Sequence, residues 1–170
     1  MPTSKTSSIP TIDVSSLATG LSYNSPEALS VGQVIDDTCK NIGFLLVTGH
    51  GVAPQTKANL LAKMKEFFDL PASEKEKIAI GKSPVHRGYV GIGLENLEGA
   101  LANEALGKTY GAGDVKESID SGTEDGPNHP EVLARTPLHG PNQLPELPGF
   151  REAWQAYFDE VYEAARRIQR

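Results

Sequence analysis

The sequence predicts an α+β fold, with helices and short strands in separate stretches of the chain. Three observations carry that prediction. Apolar residues recur at spacings of three and four in three places, which puts each set on one helical face. Two short runs near the start, residues 9–14 and 44–47, carry strand patterns instead. Between residues 81 and 149 lie 12 of the 17 glycines and 7 of the 12 prolines, so regular elements there must be short and turns frequent.

Taken in order, Ile9-Pro10-Thr11-Ile12-Asp13-Val14 alternates apolar and polar residues, and Pro10 suits a sheet edge, where a missing N–H is tolerated. Residues 15–30 are polar and read as a loop. Val31, Val34, Ile35, Thr38 and Ile42 form one face of a helix that ends near Gly43. The run Phe44-Leu45-Leu46-Val47, closed by Thr48-Gly49-His50-Gly51, has the pattern of a strand buried on both faces before a tight turn. Pro54 opens the next helix, with Leu60, Leu61, Met64, Phe67 and Phe68 along one side and Leu70-Pro71 at its end. Ser73 with Glu76 predicts a capping box for a helix over residues 73–80, whose Glu74, Lys75, Glu76 and Lys77 form a solvated face. Residues 89–94 and 115–119 are short strand candidates. A last helix starts at Phe150 and carries Trp154, Tyr157, Phe158, Val161, Tyr162, Ala165 and Ile168 on one stripe. That stripe needs cover, and the expectation is that residues 1–170 are the first part of a longer protein.

A net charge of −6 and a pI near 5.2 argue against nucleic acid or an anionic membrane as the main partner. No apolar run approaches the roughly 20 residues that cross a bilayer. Residues 1–8 read as a short disordered tail, with no apolar stretch to make a secretory signal. The single cysteine, Cys39, excludes an internal disulfide and suits a reducing, cytoplasmic setting. Lying on a helix among apolar neighbours, it is expected to be buried and inert.

Four histidines are present. His129-Pro130-Glu131 has a His-x-acid spacing, but Pro130 breaks any strand and His139 follows in the same Pro-rich stretch, so a solvent-exposed loop pair is expected there and no metal site. His50 is expected to bond the backbone of its Gly-His-Gly turn. No Gly-x-Ser-x-Gly elbow, phosphate loop or dinucleotide fingerprint occurs. His86-Arg87-Gly88-Tyr89 sets a cation beside a phenol at the entry to a strand, which suits an acidic group, with a surface ion pair as the plainer alternative. Asp114-Val115-Lys116-Glu117 alternates charge and is either a half-exposed edge strand or a loop held by ion pairs.

These segments, in this order, resemble the N-terminal region of the iron(II)- and 2-oxoglutarate-dependent dioxygenases related to isopenicillin N synthase. The resemblance rests on Ile9-Pro10-Thr11-Ile12-Asp13, on residues 41–52 with Gly43-Phe44 and Thr48-Gly49-His50-Gly51-Val52, and on Phe67-Phe68-Asp69-Leu70-Pro71. It continues through Lys75 and Lys77, Arg87-Gly88-Tyr89, Asp114-Val115-Lys116-Glu117, Gly140-Pro141-Asn142-Gln143 and Leu147-Pro148-Gly149-Phe150-Arg151. The family often has an aromatic residue in place of Leu45 or Ile119 and Trp in place of Leu144.

The resemblance implies Fe(II) and 2-oxoglutarate as cofactors and a small organic molecule as substrate, which is hydroxylated, desaturated or ring-closed. It also implies that residues 9–122 form the family's N-terminal domain, that residues 123–149 are a connection, and that residues 150–170 start the long helix leading to a jelly-roll core. In the family the metal triad and the 2-oxoglutarate clamp lie on that core. No catalytic, cofactor or metal residue is therefore expected here, and the chain alone is expected to be inactive and not to hold iron tightly. By the same resemblance His86, Arg87 and Tyr89 face the substrate. Two further readings stay open: a docking or self-associating module that uses the face of the last helix, and a remnant without a stable fold.

Overall fold

The computed structural model describes residues 8–17, 22–95 and 114–169. In chain order the elements are β1 (Thr11–Asp13), α1 (Pro26–Asn41), β2 (Leu46–Thr48), α2 (Pro54–Phe68), α3 (Ala72–Lys75), β3 (Gly88–Val90), β4 (Ser118–Asp120), α4 (Pro130–Leu133) and α5 (Phe150–Ile168). The tail expected over residues 1–8 lies, but for its last position, outside the described residues. The chain divides into two compact units, one of Met1–Leu60 with Glu152–Arg170, the other of Leu61–Arg151. No helix among the described residues is long and apolar enough to cross a membrane.

In the first unit β1 and β2 pair in parallel, with Ile12 opposite Val47, and α1 supplies the crossover that parallel strands require. The helix starts inside the stretch expected to be a loop. Ser25 caps it, its Oγ accepting the Ala28 N–H at 3.2 Å, and Pro26 takes the first helical position. The N–H groups of Ile42 and Gly43 both bond the Thr38 carbonyl, and Gly43 at φ 81° ends the helix where the sequence placed its end. Ile12, Val14, Ala28, Thr38, Trp154 and Ala164 are buried.

Two expectations fail in this unit. The β2 run is not buried on both faces: Phe44 is 71% exposed and Leu46 56%. A two-stranded sheet gives β2 a single neighbour and cannot enclose it. Cys39 is exposed, because it lies about 100° round the helix from buried Thr38. The α5 stripe is open in part, as expected: Trp154 is buried on it, while Val161 and Tyr162 are exposed. Along that stripe the rings of Trp154, Phe158 and Tyr162 stack in turn at 5.0 and 5.9 Å.

The second unit is built on aromatic edges. Phe67, fully enclosed, meets Phe68, Tyr89 and Phe150 edge-on at 5.2, 5.9 and 6.1 Å between ring centres. The two strand candidates pair antiparallel as β3 and β4, with Tyr89 opposite Ile119. The capping box at Ser73 does not form. Pro71 stands at the cap of α3 with no side-chain hydrogen bond, and Ser73 lies within the helix, which tightens into a 3-10 turn at Glu76–Ile78. Nor is the following charged run wholly solvated, since Lys75 is buried.

Candidate functional site

Arg87 directly precedes β3 and Tyr89 is its central residue, with Gly88 between them. Residues two apart share a face in a regular strand, and Gly88 departs from that regular form. Gly88 has φ 121°, and a Cβ there would stand 2.3 Å from the Ile78 carbonyl oxygen and 2.5 Å from Gln143 Nε2. Only glycine passes. His86, one residue before Arg87, is exposed and itself left-handed at φ 57°.

Tyr89 turns inward. Its hydroxyl donates to Glu117 Oε1 at 2.6 Å, and the same oxygen accepts from Lys75 Nζ at 2.6 Å. Lys75 also donates to the Phe68 carbonyl at 3.2 Å and lies over the Tyr89 ring. The Lys75 bond first, then the Tyr89 bond, hold the Glu117 carboxyl below its ordinary range. Burial first, then the bond to Glu117, push the Tyr89 phenol up to about 12. The charge-alternating segment therefore works through ion pairs, with Lys116 bridging to Glu95 at 2.6 Å, and its strand begins only at Ser118.

Arg87 turns the other way. Its guanidinium lies against Gly122, where a Cβ would stand 2.3 Å from Nη2, and Nη2 donates to the Leu138 carbonyl at 3.0 Å. Its Nε is buried without a hydrogen-bond partner, and Arg87 has no carboxylate partner among the described residues. Asn142 fixes the ground beneath it, accepting the Gly122 N–H and donating to the Gly122 carbonyl, both at 2.8 Å. Of the three candidates, then, Arg87 and Tyr89 sit on different partners and His86 is open to solvent.

Next to Leu138 comes a grouping that sequence reasoning missed. Asp125 is buried, and its Oδ2 stands 2.9 Å from His139 Nδ1. His129 Nε2 is 3.9 Å from Asp125 Oδ1, and the two imidazoles stack at 6.1 Å with planes 7° apart. His129 also caps α4, its Nδ1 accepting the Glu131 N–H at 3.3 Å. Left-handed Arg135 and Leu138, at φ 56° and 67°, turn the chain so that His139 returns to Asp125. His129 and Glu131 are exposed, as expected of a loop pair, but His129 and His139, at 42% and 39% side-chain exposure, also converge on a buried carboxylate. Asp125 lies in no motif, so its part was not visible beforehand. His50 behaves as expected, its Nδ1 accepting the Val52 N–H at 3.0 Å.

The sequence model of the family described as non-haem dioxygenase in morphine synthesis, N-terminal, matches residues 9–147. The chain belongs to this family. It is the N-terminal region characteristic of the Fe(II)/2-oxoglutarate dioxygenases. A homoarginine-6-hydroxylase of Oryza sativa is 32% identical over 167 residues, covering 95% of this chain and 47% of that protein. A 2-oxoglutarate-Fe(II) type oxidoreductase of Emericella nidulans is 30% identical over 140 residues, covering 80% and 37%. Among solved structures, a full-length Neurospora crassa protein in complex with alpha-KG and thymine superposes with a TM-score of 0.64 at 25% identity, over 94% of this chain and 47% of that one. A rice dioxygenase for auxin oxidation shares the fold at a TM-score of 0.57 and 24% identity, over 95% and 43%. The chain spans about half the length of the curated relatives it matches.

Iron and 2-oxoglutarate are the cofactors of this dioxygenase family. The Asp125, His129 and His139 cluster offers the donor types of a two-His-one-carboxylate site. A site that must take 2-oxoglutarate and a substrate beside the ion needs walls and rigid supports. Here both imidazoles are about two-fifths open to solvent and hang on a four-residue helix and turns. The cluster does not fit that role.

Proposed function

We propose that this chain is the N-terminal part of an Fe(II)- and 2-oxoglutarate-dependent oxidoreductase that hydroxylates, desaturates or ring-closes a small organic metabolite. The observation that carries this reading is the family match over residues 9–147, supported by relatives of that kind in rice and in Emericella nidulans. Bound iron and 2-oxoglutarate supply oxidation by O2. The part given to this chain is to bind and orient the substrate.

Within that reading Arg87 is the group that meets an anionic part of the substrate. It is a cation with a buried Nε that has no hydrogen-bond partner, and no carboxylate pairs with it, among the described residues. His86 lies beside it at the surface, and Tyr89, tied to Glu117, holds the strand that carries both. The test is succinate release from 2-oxoglutarate by the protein isolated from its source, its intact mass measured first, against a panel of small metabolites that includes homoarginine. Substrate-dependent succinate is the expected result, and the substrate-free rate throughout would overturn the reading. In the active preparation Arg87→Ala should raise KM for the organic substrate about tenfold and leave 2-oxoglutarate affinity unchanged. Unaltered kinetics would remove Arg87 from the substrate site.

A second reading, docking or self-association through α5, is favoured by Val161 and Tyr162, which stay exposed on its apolar stripe. Sedimentation of wild type beside Tyr162→Ser distinguishes it, since a shared loss of association in the variant is required.

A further inference from the structure

Asp125, His129 and His139 are the one trio of metal-ligating side chains among the described residues whose ligand atoms all lie within 4.8 Å of one another. We propose that they bind a divalent transition-metal ion of the imidazole-preferring class, with Zn2+ as the reference ion, and that the ion clips the Pro-rich segment carrying α4 into place. This inference does not depend on the oxidoreductase reading.

The donor set comes first. Two imidazole nitrogens and one carboxylate oxygen suit Zn2+ and its neighbours and suit Ca2+ or Mg2+ poorly. The geometry is close to closed already. Zn–N and Zn–O bonds of about 2.0–2.1 Å place tetrahedral ligands roughly 3.3 Å apart. His139 Nδ1 stands 2.9 Å from Asp125 Oδ2 and His129 Nε2 stands 3.9 Å from Asp125 Oδ1, with all three ligand atoms within 4.8 Å of one another, so rotations of the imidazoles and the carboxylate bring them onto one ion.

Charge argues in the same direction. The Asp125 side chain is 5% exposed, and among the described residues its ion-pair partners are the two imidazoles, with no Lys or Arg. A buried carboxylate needs a cation close by. A neutral imidazole offers it one N–H, whereas a dication held between the three groups neutralises it outright.

The protons can be placed. His139 coordinates through Nδ1 and moves its proton to Nε2. His129 coordinates through Nε2, so its proton must sit on Nδ1, and the long bond from the Glu131 N–H is given up. Coordination in this way frees one backbone amide at the start of α4.

The test uses the tag-free 170-residue chain. Calorimetric titration with ZnCl2 should give one ion per chain and a rise in Tm. His129→Gln, His139→Gln and Asp125→Asn should each weaken binding at least tenfold, the lower end of what is lost even when a residue that only supports a ligand is removed. Cys39→Ser should bind as wild type does. In the wild-type chain, Zn2+ should shift the ring signals of His129 and His139, leave those of His50 and His86 in place, and speed amide exchange at Glu131. That readout needs no variant to fold. The proposal is overturned by no binding in the micromolar range, by binding that survives His139→Gln, by dependence on Cys39, or by shifts at His50 or His86 instead.

Discussion

Gln143 directs its amide nitrogen at three carbonyls, those of Ile78 at 2.8 Å, Ala79 at 2.9 Å and Arg87 at 3.3 Å. Two hydrogens serve three acceptors, and the residues so joined flank Gly88. Gln143→Ala should lower stability by roughly 1–3 kcal/mol, read as a shift of the urea midpoint at constant slope. An unshifted midpoint would show that water replaces the clamp at no loss. The sequence offered Gln143 only as part of a family stretch, because its partners lie 56 to 65 positions away. Lys75 was hidden for a similar reason. It sits in a Glu-Lys-Glu-Lys run that reads as solvated, and Glu117, 42 positions on, draws it inside. The Tyr89 phenol in the same network titrates at about 12 when folded against 10.0 ordinarily. The folded state holds that proton more tightly, so the contribution is whole below pH 10 and is lost as pH rises towards 12. Tm measured across that window should fall in wild type and fall less in Tyr89→Phe. Parallel alkaline limbs would contradict the assignment. Glu117, held below its ordinary range, acts at the other end: its contribution is present above that range and disappears as acid protonates it.

At the level of elements, the helices were legible because their apolar spacing is written into the chain, and Pro54 and Gly43 marked a start and a stop that the structure keeps. Both β pairings joined runs that had been picked out as strands, but each strand came out only three residues long, since two-stranded sheets give little support beyond their paired positions. What could not be read was the capping. Ser73 looked like a cap and is not one, while the true cap of α2 comes from α5. Glu160 accepts the Ala53 N–H at 2.7 Å and the Thr56 hydroxyl at 2.8 Å, closing the N-terminus of α2 with a carboxylate suited to its dipole. Those bonds, the backbone one first, hold the Glu160 carboxyl below its ordinary range. Stability from this contact is therefore present above the usual carboxylate range and lost as pH falls through the lowered value. Glu160→Gln should flatten part of the acid limb of Tm against pH. An acid limb identical to wild type would mean that other donors and acceptors carry the helix start.

Across the whole molecule, the division into two compact units was not foreseen, because both α2 and α5 run from one unit into the other and periodicity sees only the unbroken helix. The candidate site was legible to the same extent: the strand carrying Arg87 could be read, but not the convergence of Asp125, His129 and His139, which depends on left-handed turns at Arg135 and Leu138. The apolar surface of the first unit belongs to this scale too. Phe44 is 71% exposed, so Phe44→Thr should change unfolding free energy by no more than about 0.5 kcal/mol. A larger loss in a urea titration would mean that the ring is covered in solution. The cap on α2 has one more consequence, for synthesis. Ala53 and Glu160 are 107 positions apart, and Glu160 lies well inside the last helix. On the ribosome the first turn of α2 must wait, its amides bonded to water, until residue 160 has been made. The start of an early helix is thus finished only after a segment more than a hundred positions later has emerged.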